Sequence, residues 1–297
     1  MEERTIKKII THPGMAHRDE FLAICLLLGY QENAFEFKEI NRRNHTEEDI
    51  QDPYTWVIDV GGDIDRVRNN YDHHQLPKDH APVCALTLIA TEVGIDPESA
   101  RYIWPWFEFS EVLDTKGPFQ TLEKYNIPKA AFMATMSPVE SAITGMFSKQ
   151  DIITCDSPLW GLMEDIGKGL IIQYHMIDER YRLLCKSYKK ITQVVEAVET
   201  EGMVVADMTW IDRADSPSLA TEMFFSMHFP EVSIVISQDD RGEGLSLFRR
   251  GDHPQVDFSR INKEPGVLFA HANGFIAKLA KGVDPWDLVR KSILRQS

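Results

Sequence analysis

The segment TIKKIITHPGMAHRDEFLAICLLLGY, residues 5–30, decides the fold. Its first part, residues 5–10, is rich in β-branched side chains and is typical of a β-strand. Residues 19–29 are mostly apolar, with Asp19 in the position of an N-cap and Gly29 beyond the last turn, which is typical of a helix. The segment therefore predicts a strand that leads through a polar corner into a helix.

The same alternation continues along the first part of the chain. Further strands are predicted at residues 34–40 and 54–60, and a further helix at residues 83–94. Because strands alternate with helices, we expect an α/β fold with a parallel sheet. The pattern of residues 98–200 is mainly helical.

A second strand-rich series begins after Gly202. Its predicted strands lie at residues 203–211, 232–238, 244–250 and 266–272. We therefore expect a two-lobed architecture. A parallel-sheet N-terminal domain is predicted over residues 1–165, a helical connector over 166–200, and a smaller strand-rich α/β domain over 201–297.

Composition and charge limit the classes of function. The chain has 297 residues and a formal net charge of −14 at pH 7. Tight binding to long nucleic acid relies on many Lys and Arg contacts to phosphate, so this charge argues against it. The longest apolar run, residues 21–30, is too short to span a bilayer, and no apolar signal region precedes it. We expect a cytoplasmic protein with reduced cysteines and no membrane partner.

Four separate segments carry histidine or aspartate at predicted loop positions on one edge of the predicted sheet. They contain His12, His17 and Asp19; Asp59; Asp72, His73 and His74; and Asp114. Ligands of open α/β sheets bind at the carboxyl ends of the strands. Mixed imidazole and carboxylate ligands suit Mn²⁺, Fe²⁺, Co²⁺ or Zn²⁺, whereas an all-oxygen site would favour Mg²⁺ or Ca²⁺. The set is large enough for two ions, and two ions can clamp a phosphate.

Each of these residues also has a simpler explanation when it is considered alone. Asp19 is suited to cap a helix, and His12 to a turn or the core. Asp59 and Asp114 are suited to turns. The string DHH is short enough to recur by chance. The metal site is indicated by the combination of the four segments.

The motifs THPGMAHRDEF, VIDVGG, YDHHQ and EVLDTKGPF occur in this order over roughly residues 5–120. Together they resemble the DHH phosphoesterase superfamily. Within it, they look most like the melanocyte-proliferating-gene family of metal-dependent hydrolases and 3′–5′ RNA exonucleases. The resemblance implies a two-lobed α/β hydrolase in which two divalent metals activate a water for attack on phosphorus.

The metal ligands of the superfamily carry over by motif. The implied ligands are His12, His17, Asp19, Asp59, His73 and Asp114. Asp59 matches the carboxylate that bridges both metals, Asp72 the acid that orients His73, and His74 the residue that faces substrate. Asp72 and His74 are thus the expected catalytic side chains. The superfamily has aspartate where this chain has His17, and an imidazole there favours Mn²⁺ or Co²⁺ over Mg²⁺.

The segment LSLFRRGDHPQVDFSRINKEPGVLFAHANGFIAKL, residues 245–279, resembles the C-terminal domain that accompanies the DHH motif. The substrate-binding residues that this resemblance implies are Arg249, Arg250, His271, Asn273 and Gly274. Arginine grips phosphate through two parallel hydrogen bonds, and histidine adds a donor. We take Arg249 to face the site and Arg250 the other strand face, although either alone is also suited to a solvated strand.

The function that we expect is a Mn²⁺-dependent phosphodiesterase acting on short RNA or nucleotides. One alternative is a small-molecule phosphatase or manganese pyrophosphatase on the same site, for which FRRGDHP is sparse in cations. The second alternative is a non-catalytic binding protein that keeps the fold, against which the retained ligand side chains argue. The sequence leaves the oligomeric state open, a homodimer included.

Overall fold

A computed structural model describes residues 5–30, 35–212 and 219–294. The chain divides into two compact units, residues 1–175 and 176–297, and the described part of each contains a six-stranded sheet with helices. The predicted α/β class is confirmed. Among the described residues, no helix combines the length and the apolar character that crossing a membrane requires.

The first unit begins with strands and helices in alternation and ends in a helical region. Its described elements, in chain order, are β1 Thr5–Thr11, α1 Arg18–Tyr30, β2 Phe35–Arg42, α2 Glu47–Gln51, β3 Thr55–Ile58, β4 Ile64–Asp65, β5 Asn70–Tyr71, α3 Ala85–Glu92, α4 Pro97–Ile103, α5 Pro105–Lys116, α6 Pro118–Lys124, a 3₁₀-helix Lys129–Thr135, α7 Pro138–Ser148, β6 Ile152–Thr154 and α8 Pro158–Lys186, whose last residues belong to the second unit.

The second unit contains shorter helices and most of its strands are antiparallel. Its described elements are α9 Tyr188–Ala197, β7 Glu199–Thr200, β8 Met203–Asp207, α10 Leu219–His228, β9 Val232–Gln238, β10 Leu245–Arg249, a 3₁₀-helix Phe258–Ile261, β11 Val267–Ala270, β12 Ile276–Leu279 and α11 Pro285–Ser292.

The first sheet has the strand order β4-β5-β3-β1-β2-β6. Its centre is parallel, because β1 pairs in parallel with β2 and β3, and β3 with β5. The short strands β4 and β6 pair antiparallel at the two edges. The predicted parallel sheet is confirmed, whereas β6 was not expected, because its three residues lie inside a stretch of helical pattern.

The register of the parallel strands places three strand ends at one level. Thr11 of β1 lies opposite Ile58 of β3, and Ile58 lies opposite Tyr71 of β5. The residues that follow these three are His12, Asp59 and Asp72. Backbone pairing therefore delivers three of the polar motifs to the same edge of the sheet, where α/β proteins bind ligands.

The start of α1 changes the role of Asp19. The helix begins at Arg18, so Asp19 lies inside its first turn and is not the N-cap that the sequence pattern predicted. The side chain is buried, and neither of its carboxylate oxygens has a hydrogen-bond partner among the residues that the structure describes. The prediction of a helix cap is therefore wrong, and the carboxylate is left for another role.

The second sheet has the strand order β11-β12-β10-β9-β8-β7, with β8 and β9 parallel. On one face, Ile236 and Leu247 pack into a core with residues of α11 and of the adjacent 3₁₀-helix. On the other face, Val235 packs against Phe224 and its neighbours on α10. The strand-rich series predicted after Gly202 is confirmed.

Helices α1 and α8 approach each other closely at two glycines. A Cβ at Gly167 would stand 1.7 Å from the carbonyl oxygen of Cys25, and a Cβ at Gly29 would stand 2.3 Å from the backbone nitrogen of Lys168. Neither position has room for a side chain. This contact therefore depends on glycine at both positions.

Gly167→Ala should destabilise the first unit, because the added methyl group forces the two helices apart. We expect a loss of about 1–3 kcal/mol in the free energy of unfolding, as for other overpacked interiors, measured by urea denaturation. The control is Gly169→Ala on the same helix, whose Cβ would meet nothing within 4 Å. It should be neutral or stabilise by up to about 1 kcal/mol. Equal stability of the two variants would contradict the close contact.

Candidate metal centre

The backbone after β3 holds Asp59 in an uncommon conformation. Its φ is 58°, in the left-handed region that aspartate and asparagine tolerate better than most other residues with a side chain. Gly61 and Gly62 follow with φ of 109° and 71°. The resulting turn lets the Gly62 N–H donate a hydrogen bond of 2.7 Å to the Asp72 carboxylate, which joins two of the motifs.

The structure brings all eight of the first-unit residues together. Three groups form, in each of which the candidate ligand atoms lie within 4.8 Å of one another: Asp59, Asp72, His73 and His74; His12, His17 and Asp59; and His17, Asp19 and Asp114. Asp59 and His17 each belong to two groups. Asp59 is thus the carboxylate that contributes to two of the candidate metal-binding groups.

The individual distances show how the ligand atoms converge. The Nε2 atom of His73 lies 3.2 Å from Oδ1 of Asp59 and 2.9 Å from Oδ2 of Asp114. The Nε2 atom of His12 lies 3.5 Å from Oδ2 of Asp59. The Nδ1 atom of His17 lies 3.7 Å from Oδ1 of Asp114. Imidazole nitrogens thus face carboxylate oxygens around both acids.

Seven atoms of this cluster are buried without a well-directed hydrogen bond to any described residue. They are Nε2 of His12, both carboxylate oxygens of Asp19, both of Asp59, Nε2 of His73 and Oδ2 of Asp114. An unsatisfied buried polar group costs about 1–3 kcal/mol, and a charged one costs more. The cluster is therefore arranged as side chains that coordinate a cation are, and its mixed N and O donors fit a divalent transition metal.

Burial and mutual repulsion raise the pKa of two of the carboxyl groups. Burial raises the pKa of Asp19 well above its usual value, and the charges of Asp59 and Asp114 raise it further. Burial also raises the pKa of Asp59, with contributions from Asp114 and Glu20, whereas His73 acts in the opposite direction. Carboxylates packed in this way are ionised more readily when a positive charge lies among them.

The carboxylates act on the histidines in the opposite sense. Contact with Glu20 raises the pKa of His12 to about 9, against the effect of burial. Burial lowers the pKa of His73, but the facing carboxylates, Asp114 foremost, raise it to about 10. The Nδ1 atom of His12 donates to the carbonyl oxygen of Pro13 at 2.8 Å, which turns Nε2 towards the cluster.

Asp72 orients His74, and not His73 as the sequence resemblance predicted. Its carboxylate accepts hydrogen bonds from the N–H of Gly62, from the backbone N–H of His74 and, at 2.6 Å, from Nδ1 of His74. Burial opposes ionisation of Asp72, but these bonds hold its pKa below the usual value. Because a carboxylate only accepts, Nδ1 carries the proton, and the exposed ring offers Nε2 to a ligand.

Glu20 belongs to the site, although no sequence motif assigns it a role. It is fully buried and contacts Nε2 of His12, the hydroxyl of Thr11 and the guanidinium of Arg42. Arg42 is itself buried, so the two form an ion pair that holds the His12 ring. The available signal was the pair of adjacent acids, Asp19 and Glu20, at the start of an otherwise apolar helix.

In the second unit, Arg250 has a structural role. Its guanidinium donates twice to the carboxylate of Glu222, once to the hydroxyl of Ser226, and once each to the carbonyl oxygens of Phe229 and Val232. These five bonds use all five donors of an arginine. The prediction that Arg250 binds substrate is therefore corrected, and the residue ties the end of β10 to α10.

Arg249 is less fully engaged. It donates to the carbonyl oxygen of Val256 at 2.9 Å and to the exposed carboxylate of Asp252 at 3.0 Å. Its Nε is buried and has no hydrogen-bond partner within the described part of the chain. It lines a cavity of about 650 Å³ whose other walls include Phe248 and Ile276. Its assignment to substrate binding stays a prediction.

His271, Asn273 and Gly274 lie in the connection between β11 and β12. The N–H of Asn273 donates to Nδ1 of His271, whose ring lies 4.2 Å from that of Phe275 between centroids. Gly274 has φ of 67°, and a Cβ there would stand 2.0 Å from the carboxylate of Asp257. Gly274 is thus required by a close backbone approach, and a role of these three residues in binding stays a prediction.

The segment that carries the candidate metal ligands other than Asp114 matches a protein family. Residues 8–82, about a quarter of the chain, match the model MYG1_exonuc, an uncharacterised protein family (UPF0160). The match contains the last four residues of β1, the whole of β3 and the DHH motif. It confirms the resemblance to the melanocyte-proliferating-gene family over these residues, and it points to a metal-dependent hydrolase of the exonuclease kind.

One of the solved structures that match this chain shows a distant likeness. The crystal structure of RecJ in complex with Mn²⁺ from Thermus thermophilus is 11% identical, with coverage of 98% of this chain and 53% of that chain and a TM-score of 0.28. This chain thus spans about half the length of that RecJ chain, and so low a score supports neither a shared fold nor a shared function. Comparison with curated proteins gives no match.

Asp59→Asn should separate metal binding from folding. Asparagine keeps the shape of the side chain and tolerates its φ. Because burial raises the pKa of Asp59, ionisation of this group opposes folding at neutral pH. The metal-free variant should therefore match the wild type or exceed its stability by about 1 kcal/mol. In the presence of Mn²⁺ the wild type should be the more stable of the two proteins, since a metal stabilises only a protein that binds it.

Thermal unfolding with Mn²⁺ and with a chelator measures both effects, and mass spectrometry gives the metal content. The matched control is Asp65→Asn, whose carboxylate is paired with Arg68 outside the cluster. It should keep the full metal-induced rise in Tm. A rise of wild-type size in Asp59→Asn would show that Asp59 is not a metal ligand.

Proposed function

We propose that the protein is a metal-dependent phosphodiesterase that removes nucleotides from the 3′ end of short RNA. The observation that carries the proposal is the cluster of seven buried His and Asp atoms at the carboxyl edge of the first sheet. Two divalent ions that share Asp59 would fit this donor set. When bound, they would activate a water and neutralise the charge of the phosphate.

The side chains of the cluster divide into those that would hold metal and those that would face substrate. The metal ligands in this proposal are His12, His17, Asp19, Asp59, His73 and Asp114. Asp72 fixes the ring of His74 through Nδ1, and the ring is 62% exposed. When protonated, it can donate from Nε2 to a phosphate oxygen and stabilise the charge that develops in the transition state.

Charge supports a short substrate. A net charge of −14 repels the backbone of a long nucleic acid, whereas a short RNA or a nucleotide presents few phosphates outside the site. We place the reaction in the cytoplasm. The four cysteines are free thiols in the structure, as is ordinary for proteins of reducing compartments.

A panel of substrates tests the proposed function with purified, Mn²⁺-loaded protein. The panel contains a short RNA labelled at its 5′ end, inorganic pyrophosphate and a chromogenic phosphodiester. We expect stepwise shortening of the RNA from its 3′ end and cleavage of the phosphodiester. Preferential hydrolysis of pyrophosphate would replace the proposal by a pyrophosphatase. Metal binding without turnover of any substrate would contradict it in favour of a binding protein.

Activity should be higher with Mn²⁺ or Co²⁺ than with Mg²⁺, because three of the ligands, His12, His17 and His73, are imidazoles. His17→Asp should raise the ratio of kcat/KM measured with Mg²⁺ to kcat/KM measured with Mn²⁺ about tenfold. Steady-state kinetics over a metal titration measure the ratio. The exposed variant His175→Asp is the control and should leave it unchanged. Equal activity of the wild type with Mg²⁺ and Mn²⁺ would contradict the ligand set.

The second unit is proposed to bind substrate without binding metal. Arg249→Ala and His271→Ala should each lower kcat/KM roughly tenfold to a hundredfold, which corresponds to a charge-assisted contact of about 1.5–3 kcal/mol. Metal content should stay at the wild-type value, because no metal ligand is lost. Lys281→Ala, which removes a surface ion pair with Glu243, is the control. Loss of metal, or unchanged kcat/KM in both variants, would overturn this division of roles.

A further inference from the structure

A small cavity adjoins the metal cluster within the first unit. Its volume is about 190 Å³, more than a single water requires. Part of its wall belongs to the cluster, and part belongs to the loop that follows the DHH motif and to the end of α5. The polar and charged side chains that line it are His73, His74, Asp114, Thr115, Lys78, His80 and Lys116.

Lys116 is held at this cavity by carbonyl oxygens and not by an acid. Its ammonium donates to the carbonyl oxygens of Lys78 at 2.6 Å and of His80 at 3.0 Å, and it forms no ion pair with any described residue. An ammonium has three donors, so one remains for a ligand. Lys116 lies in the last turn of α5 and lines the same cavity as Asp114, so a positive charge that forms no ion pair among the described residues lies beside the cluster.

The loop adds a second cation to the same wall. Lys78 is exposed and forms no ion pair among the described residues, and Nδ1 of the exposed His80 donates to the carbonyl oxygen of Ala81. Asp79 lies between them in sequence but does not line the cavity. Lys78 and Lys116 line this small cavity together with Asp114, and neither lysine forms an ion pair among the described residues. In a chain with a net charge of −14, such a pair of lysines favours the binding of an anion.

We propose that this cavity binds a second phosphate group of the substrate, next to the phosphate at the metal cluster, through Lys116 and Lys78. The inference rests on the proposed function and narrows its substrate class. It assigns to this protein substrates that carry at least two phosphates, such as 5′-phosphorylated oligonucleotides, in preference to esters with a single phosphate. Ammonium groups bind phosphate oxygens as compact point charges, which suits a subsite of this size.

Three variants distinguish a role of the lysines in phosphate binding from a role in holding the loop. Lys78→Met removes a charge but keeps the backbone carbonyl that Lys116 contacts. Lys116→Met removes both the charge and the tie to the loop, and Lys116→Arg restores the charge. The control is Lys124→Met, which loses the same charge from a surface pair with Glu108.

The substrates are one diribonucleotide with and without a 5′-phosphate, so that the scissile bond is the same. The wild type should prefer the phosphorylated form about tenfold in kcat/KM. The ratio of kcat/KM for the phosphorylated form to kcat/KM for the unphosphorylated form should fall towards one in Lys78→Met and Lys116→Met. It should keep its wild-type value in Lys124→Met and recover in part in Lys116→Arg. Wild-type preference in both lysine variants would overturn the inference. If Lys116→Met lowered kcat/KM equally for both substrates while Lys78→Met kept the wild-type values, Lys116 would only hold the loop and would not bind phosphate.

Equilibrium binding gives a second readout that needs no turnover. The ligands are the same dinucleotides with a non-hydrolysable phosphonate linkage, titrated by calorimetry in Mn²⁺. The wild type should bind the 5′-phosphorylated form about tenfold more tightly, and both methionine variants should lose this difference. If no phosphodiester is hydrolysed but the difference in binding is present, the proposed function fails and the phosphate subsite stands. If the protein hydrolyses both dinucleotides at the same rate and binds both analogues equally tightly, the proposed function stands and only the phosphate subsite is refuted.

Discussion

Parallel pairing of β1, β3 and β5 is the constraint on which the rest of the structure depends. The register sets Thr11, Ile58 and Tyr71 at one level, so the polar residues that follow them leave the sheet at the same edge. The cost of this alignment is electrostatic, because it buries several acids side by side and raises the pKa of Asp19 and Asp59. Native proteins retain such conflicts mainly at functional sites.

Groups around the cluster reduce the electrostatic repulsion among the buried acids but do not remove it. Glu20 is neutralised by the buried Arg42 and contacts the ring of His12, and Asp72 is stabilised by the N–H of Gly62. These contacts fix imidazole rings, yet the carboxylate oxygens of Asp19 and Asp59 have no well-directed hydrogen bond to any residue that the structure describes. A cation would therefore find ligands that are already oriented, which lowers the free energy that ordering them would otherwise require.

Much of the fold and most of the metal cluster could be predicted from the sequence, because β-branched strands and the motifs after them are local signals. The partners of side chains could not. Asp72 contacts the neighbouring His74 and not His73, and Arg250 is fully engaged by Glu222 and by carbonyl groups that lie 18 to 28 residues away in sequence. Such contacts depend on tertiary packing, which no local pattern encodes.

Anomalous scattering from crystals grown with Mn²⁺ measures the arrangement at the sheet edge most directly. Two peaks should appear about 3.5–4 Å apart, with the carboxylate of Asp59 between them and with His12 and His73 among their ligands. Such a pair of peaks would establish a shared carboxylate as the centre of the site. The absence of any peak within coordination distance of Asp59, with manganese bound elsewhere or not at all, would contradict it.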